Sequence, residues 1–291
     1  MDLICIRRRY RNTRRIIIFS FIITAFIYTF IAANYVYEEK KKTKIFEEDL
    51  STISRVLKQE IQKEEEKPQP KILTAEEIQK LNYIYKSEEK QVFLTFDDGP
   101  SKKVTILILD LLKQEGIKAN FFVLGSRVDL YPDIVKRAYE EGHYIANHGY
   151  SHKYSQIYAS PISVLDEYNK TNQSVKNAIG NQIYNTNIFR FPGGSVGGKY
   201  HDLKADAKSL LEQNNIASID WNALNGDAER LKTEEELLER LKETIQNKNS
   251  VVILMHDAGD KTKTYNILPQ VIEYLREEGY EFKTFYDILN K

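Results

Sequence analysis

From residue 91 onward the chain alternates short apolar runs with longer amphipathic ones, and no other feature narrows the possible folds as much. The apolar runs read as strands over 92–96, 120–124, 144–147, 188–190, 216–220, 251–255 and 281–284. Between them, apolar residues at helical spacing predict helices over 102–115, 131–141, 162–179, 202–213, 234–246 and 265–278, with Gly116 and Gly142 closing the first two. Repeated βα units with short connections argue for a parallel sheet covered by helices. Two sheets of this kind fit the length: a closed barrel of seven or eight units, and a doubly wound open sheet. Periodicity does not separate them.

Polar residues gather at the ends of these strands. Asp97 and Asp98 follow the first, His148 and His152 the third, Arg190 ends the fourth, Asp220 the fifth, and His256 follows the sixth. Carboxyl ends of parallel strands converge on one face, so residues distant in sequence meet there. The only cysteine is Cys5, which excludes an intramolecular disulfide and a cysteine zinc cage. Any metal must be held by histidine and carboxylate.

Each motif has an ordinary reading beside the chemical one. Asp97-Asp98-Gly99-Pro100 serves equally as turn chemistry, although two adjacent carboxylates repel unless a cation is near. His148 and His152 are spaced by four, as ligands on one helix face would be, but Gly149 and the preceding strand make the segment a loop. Together with the strand-end aspartates they form a candidate His-His-Asp set suited to zinc with positions open for water. Residues 193–199 match the front of a phosphate-binding loop, yet Tyr200 stands where the magnesium-binding hydroxyl belongs. Trp221 beside Asp220, and His256 after residues 251–255, would pass for core-edge residues if each stood alone. His143 and His201 have no such company and read as surface residues.

The amino-terminal third has a different organisation. Six arginines in residues 1–15 precede an uncharged apolar run over 16–37. As a helix the run would reach about 33 Å, enough for a hydrocarbon core of about 30 Å. It reads as a transmembrane anchor with residues 1–15 cytoplasmic and the rest outside, and a cleaved, secreted signal peptide is the competing reading. Residues 38–70 are rich in Lys and Glu, with Phe46, Leu50, Ile53, Leu57 and Ile61 at helical spacing, which fits a helical stalk able to pair as a dimer or a solvated linker. Thr74 and Glu77 form a capping-box pattern opening a short lead-in helix within 71–89. Basic and acidic residues are equal at 42 each, and the arginine-rich start leaves the remainder acidic, so no nucleic-acid partner is expected.

Taken as a set over residues 90–291, these motifs resemble the polysaccharide deacetylases of carbohydrate esterase family 4. The matching segments are Thr95 to Gly99, His148 to His152, Arg190 to Pro192, Asp220-Trp221 and Leu254 to His256, in the family's order. The resemblance favours a distorted (β/α) barrel of seven to eight strands, here preceded by the anchor and stalk. It implies that Asp98, His148 and His152 hold one divalent metal, zinc or alternatively cobalt or manganese. It further implies that Asp97 is the general base and His256 the acid, that Arg190 pairs with Asp97, and that Asp220 orients His256. Leu254 and Trp221 would line the acetyl slot, and the Gly193 amide would complete an oxyanion site. The expected activity is removal of N-acetyl groups from cell-wall glycan, foremost N-acetylglucosamine of peptidoglycan. A deacetylase of chitin-type or other acetylated polysaccharide and a catalytically weak wall-binding protein are the alternatives. Gly149 replaces the family's usual Ser or Thr, which predicts one fewer hydrogen bond on the ligand loop.

Overall fold

The computed structural model describes residues 53–55, 72–231 and 233–289. The chain divides into two compact units, Met1–Pro68 and Gln69–Lys291. In the first, residues 53–55 are helical; the expectations for 1–15, for the anchor at 16–37 and for the rest of the stalk lie outside the described residues. Among the described residues no helix is long and apolar enough to cross a membrane.

The second unit is built on strands β1 (Gln91–Asp97), β2 (Asn120–Val123), β3 (Tyr144–Asn147), β4 (Ile188–Phe189), β5 (Ala217–Ser218), β6 (Ala223–Leu224), β7 (Ser250–His256) and β8 (Glu281–Phe282). Their order is β5-β4-β3-β2-β1-β7-β6, every pair parallel, with β8 joined to the start of β1 at Gln91 and Val92. The sheet is a curled half-barrel of seven strands, which fits the distorted (β/α) barrel that the resemblance favours and lacks the closure that one of the two readings from periodicity allowed. Its edges β5 and β6 do not pair; the four residues linking them in the chain cross the gap. Asn222, the last residue of that link, fastens it to β7, its Nδ2 donating to the Ser250 carbonyl at 2.9 Å and its Oδ1 accepting the Val252 N–H at 2.8 Å.

Strand alternation sorts the side chains. On β1, Val92, Leu94 and Phe96 join the outer apolar layer, and Phe93 enters the inner one. Thr95 and Asp97 continue the inward row, because both meet Arg190 inside the curl. On β7, Val251, Ile253 and Met255 face out, and Val252 faces in. Burial on both faces explains why β1 and β7 read as unbroken apolar runs. The outer layer packs under α2 (Val104–Gln114), α4 (Pro132–Glu140), α6 (Pro161–Ile179), α8 (Glu234–Ile245) and α9 (Thr262–Glu277).

The amino-terminal end of the curl is plugged from both ends of the unit. Helix α1 (Ala75–Asn82), opened by the Thr74–Glu77 capping box, and the 3-10 turn Ile84–Lys86 contribute Leu81 and Ile84 to the inner core. Helix α10 (Phe285–Leu289) adds Phe285, stacked on Phe93 at 5.6 Å and edge-on to Phe122 and Tyr144. The segment expected to be a mere lead-in is therefore part of the core. Helices α3 (Gly125–Leu130), α5 (Tyr154–Ile157) and α7 (His201–Gln213) complete the unit; periodicity predicted α7 but not α3, α5, α10 or β6, all too short to carry a period.

Candidate active site

Register brings the first two groups together. β1 and β7 pair so that Asp97 lies opposite His256 and Thr95 opposite Leu254, placing all four on the inner face at the carboxyl end. Two residues of opposite strand parity would normally diverge, but Asp98 has φ of 74°, which turns its carboxylate back beside Asp97. Across from them the β3 end presents His148, whose Nε2 lies 3.6 Å from Asp98 Oδ1 and 3.8 Å from Asp97 Oδ2. His152 Nε2 lies 3.3 Å from the same Asp98 oxygen.

Asp98, His148 and His152 offer ligand atoms that all lie within 4.8 Å of one another. Two observations say that this set fits a divalent cation. Asp98 Oδ1 is buried and accepts no hydrogen bond. His148 Nδ1 sits 2.8 Å from the Arg190 carbonyl, which can only accept, so Nδ1 carries the proton and Nε2 keeps its lone pair toward Asp98. Burial holds the His148 pKa down at about 3, keeping the ring in the neutral form that a metal needs.

Arg190 is fully buried and spends its donors on four fixed acceptors. Nη1 donates to Asp97 Oδ1 at 2.8 Å and Thr95 Oγ1 at 2.7 Å, Nε to the Ile219 carbonyl at 3.0 Å, and Nη2 to the Asp220 carbonyl at 2.9 Å. The guanidinium also lies 3.9 Å above the Phe122 ring. Asp97 is thus locked in one rotamer. Burial raises its pKa while Arg190 and His256 pull it down, and burial prevails.

His256 is held by a residue that sequence reasoning missed. Asp227 Oδ1 lies 2.7 Å from His256 Nδ1, and Asp227 Oδ2 accepts the His256 backbone N–H at 2.8 Å and the Thr264 hydroxyl at 2.7 Å. Burial works against a charged imidazole here, but the Asp227 hydrogen bond and the charges of Asp227, Asp97 and Asp98 outweigh it and raise the pKa to about 9. The ring is an acid at neutral pH, with Nε2 left free to donate.

Asp220, expected to orient His256, does not reach it. Inward parity after β5 falls on Ala217 and Ile219, with Trp221 packed on the same inner cluster. The Asp220 carboxylate instead accepts the Ser195 N–H at 3.0 Å and the Ser195 hydroxyl at 2.5 Å, tying down the glycine-rich loop after Arg190. Lys204 Nζ reinforces that loop through the Gly194 carbonyl at 2.7 Å. Trp221 is half-buried, 5.7 Å from the Arg190 guanidinium, and Leu254 is buried. Gly193 has φ of 73°, and its N–H donates to no partner among the described residues. A signal for Asp227 existed: Asn225-Gly226-Asp227 directly follows β6, so it is another strand-end carboxylate, hidden because a two-residue strand has no pattern.

The hydrogen bond predicted to be lost at Gly149 is replaced. Asn147 Oδ1 accepts the Gly149 N–H at 3.0 Å, and Glu167 accepts the backbone N–H groups of Tyr150 and Ser151 at 2.8 and 2.9 Å. Gly149 itself has φ of 82°, a conformation that favours glycine, and a Cβ there would push the end of the Ile157 side chain, 2.8 Å away at Cδ1. His143, read as a surface residue, is buried: its Nδ1 accepts the Ala119 N–H at 3.0 Å and its ring stands edge-on to Phe121. His201 is exposed as expected.

Comparison with known proteins adds independent findings. The family profile described as polysaccharide deacetylase matches residues 85–210. A peptidoglycan-N-acetylglucosamine deacetylase of Bacillus cereus is 32% identical over 205 residues, covering 69% of this chain and 71% of the relative. The structure of a carbohydrate esterase of family 4 from Streptococcus mutans superposes with a TM-score of 0.63 at 33% identity, covering 73% of this chain and 91% of that one. The catalytic domain of a peptidoglycan N-acetylglucosamine deacetylase from Eubacterium rectale gives a TM-score of 0.61 at 32% identity, covering 67% and 88%.

Proposed function

The chain belongs to the polysaccharide deacetylase family, and from that premise we propose that it is a metal-dependent hydrolase removing the N-acetyl group from N-acetylglucosamine of peptidoglycan. The observation that carries this reading is the arrangement of two opposite proton carriers, Arg190-locked Asp97 and Asp227-held His256, on paired strands beside the Asp98–His148–His152 cluster.

Amide hydrolysis needs a nucleophile at neutral pH, charge stabilisation for the tetrahedral intermediate, and a proton for a poor leaving group. A zinc ion held by Asp98, His148 and His152 would supply Lewis acidity and a lowered pKa for water; cobalt or manganese would suit the same donors. Asp97 takes the proton from the attacking water at its Oδ2, because Oδ1 is committed to Arg190. His256 gives its Nε2 proton to the departing nitrogen, and Asp227 carries the balancing charge. The Gly193 N–H faces the acyl oxygen, and Leu254 and Trp221 border the acetyl methyl. Asp220 serves by fixing the loop that presents Gly193.

Support for the substrate comes from the Bacillus cereus and Eubacterium rectale relatives, whose names state it, and from residues 16–37. That run, read as an anchor, holds the unit outside the membrane where peptidoglycan is the abundant acetylated polymer, with the stalk at 38–70 as spacer and dimer contact. The test is acetate release by the zinc-loaded full-length protein from peptidoglycan, chitin-type oligomers and O-acetylated xylan in parallel. Preference for peptidoglycan, abolished by chelation and restored by zinc, is expected. Activity confined to another polymer would refute the wall assignment.

A further inference from the structure

Two tyrosines one helical turn apart on α5 and its end divide two tasks between them. Tyr158 is buried and spends its hydroxyl on the Pro192 carbonyl at 2.6 Å, fastening the Arg190–Gly194 turn to the histidine loop. Tyr154 is 41% exposed, and its hydroxyl has no hydrogen-bond partner among the described residues. That hydroxyl lies directly over Gly193: a Cβ on Gly193 would overlap Tyr154 Oη and sit 3.3 Å from Cζ. The Tyr154 ring lies 5.9 Å from the His152 ring, beside the ligand cluster, and 5.4 and 6.2 Å from Tyr158 and Tyr200.

An amphipathic ring with an open edge, backed by two other rings and ending in an unspent donor, has the chemistry that holds a sugar. The ring packs against C–H faces, and the hydroxyl bonds a ring oxygen or hydroxyl. The absence of a side chain at Gly193 leaves this space to Tyr154 alone. We propose that Tyr154 is a substrate-binding residue of this site, holding the sugar unit whose acetamide lies against the Asp98–His148–His152 cluster. This rests on the deacetylase reading and adds a contact from the histidine loop, outside the motifs that carry that reading.

The test uses the zinc-loaded full-length protein with a β-1,4-linked N-acetylglucosamine tetrasaccharide, comparing wild type with Tyr154→Phe and Tyr154→Ala. Loss of one hydrogen bond in Tyr154→Phe should raise KM about fivefold, and loss of the ring as well in Tyr154→Ala about twentyfold. Because the contact is equal in ground and transition states, kcat should stay within about twofold. Bound zinc per chain should not change. Unaltered KM in both variants, or a rise only where zinc is lost, would overturn the proposal. If the wild type shows no turnover, the dissociation constant of the same tetrasaccharide by calorimetry replaces KM. The same ratios there would support Tyr154, the deacetylase reading falling only if peptidoglycan too releases no acetate, and a wild type that neither cleaves nor binds either glycan overturns both.

Discussion

At the scale of single residues, the site works by opposing environments. Asp227 is what makes His256 an acid at neutral pH, and its removal should show in the pH profile of kcat. With His256 in its proposed role as acid, activity is expected to fall as pH rises through its pKa of about 9. Asp227→Asn should move that fall toward the ordinary histidine value of about 6.5; an unmoved alkaline limb would contradict the assignment. His143 makes a separate prediction about stability. Burial holds its pKa down at about 4, so the folded state refuses a proton that the unfolded chain accepts. Its contribution is present above about pH 6.5 and is lost as pH falls from there to about 4, on the order of 3 kcal/mol. Chemical denaturation of the metal-free protein at several pH values should show a flatter decline over that window in His143→Leu than in wild type; equal slopes would refute it. Both residues were hard to read from sequence for physical reasons. A lone histidine carries no mark of burial, and the carboxylate that faces His256 depends on parity at strands too short to announce themselves.

Among the elements, β1 and β7 were the most legible, since strands buried on both faces need unbroken apolar runs. Their pairing was not written in either run, yet it alone puts Asp97 opposite His256. The histidine loop was legible as a ligand motif, but the means of holding it was not: Glu167 lies on α6, well beyond His152 in sequence and outside the motif. Least expected was the plug formed by α1 and α10. Phe285 meets Phe93, Phe122 and Tyr144 in the inner core, so Phe285→Ala should cost about 3–5 kcal/mol in denaturation measurements. A loss under about 1 kcal/mol would mean that the plug is not part of the cooperative core. The same packing predicts that cutting the chain at residue 90 gives poorly soluble protein, whereas cutting at residue 69 does not; equal yields would contradict it.

For the whole molecule, alternation of strand and helix established a parallel sheet with outer helices, and the five motifs located its working face. Closure was beyond reach of the sequence, because β5 and β6 are two residues each and the gap between them is crossed by irregular chain. The half-barrel leaves four of the five motifs in place all the same, since these sit on the strands β1, β3, β4 and β7 or just beyond them, whereas Asp220-Trp221 lies in the link after the edge strand β5. The central claim, that Asp97 and His256 transfer protons on either side of a metal-held acetamide, is tested most directly by acetate release from peptidoglycan under zinc saturation, with bound zinc measured in every sample. Asp97→Asn and His256→Ala should each keep zinc and lower kcat by about 10²–10⁴-fold. Either variant turning over at the wild-type rate with its zinc in place would contradict the account.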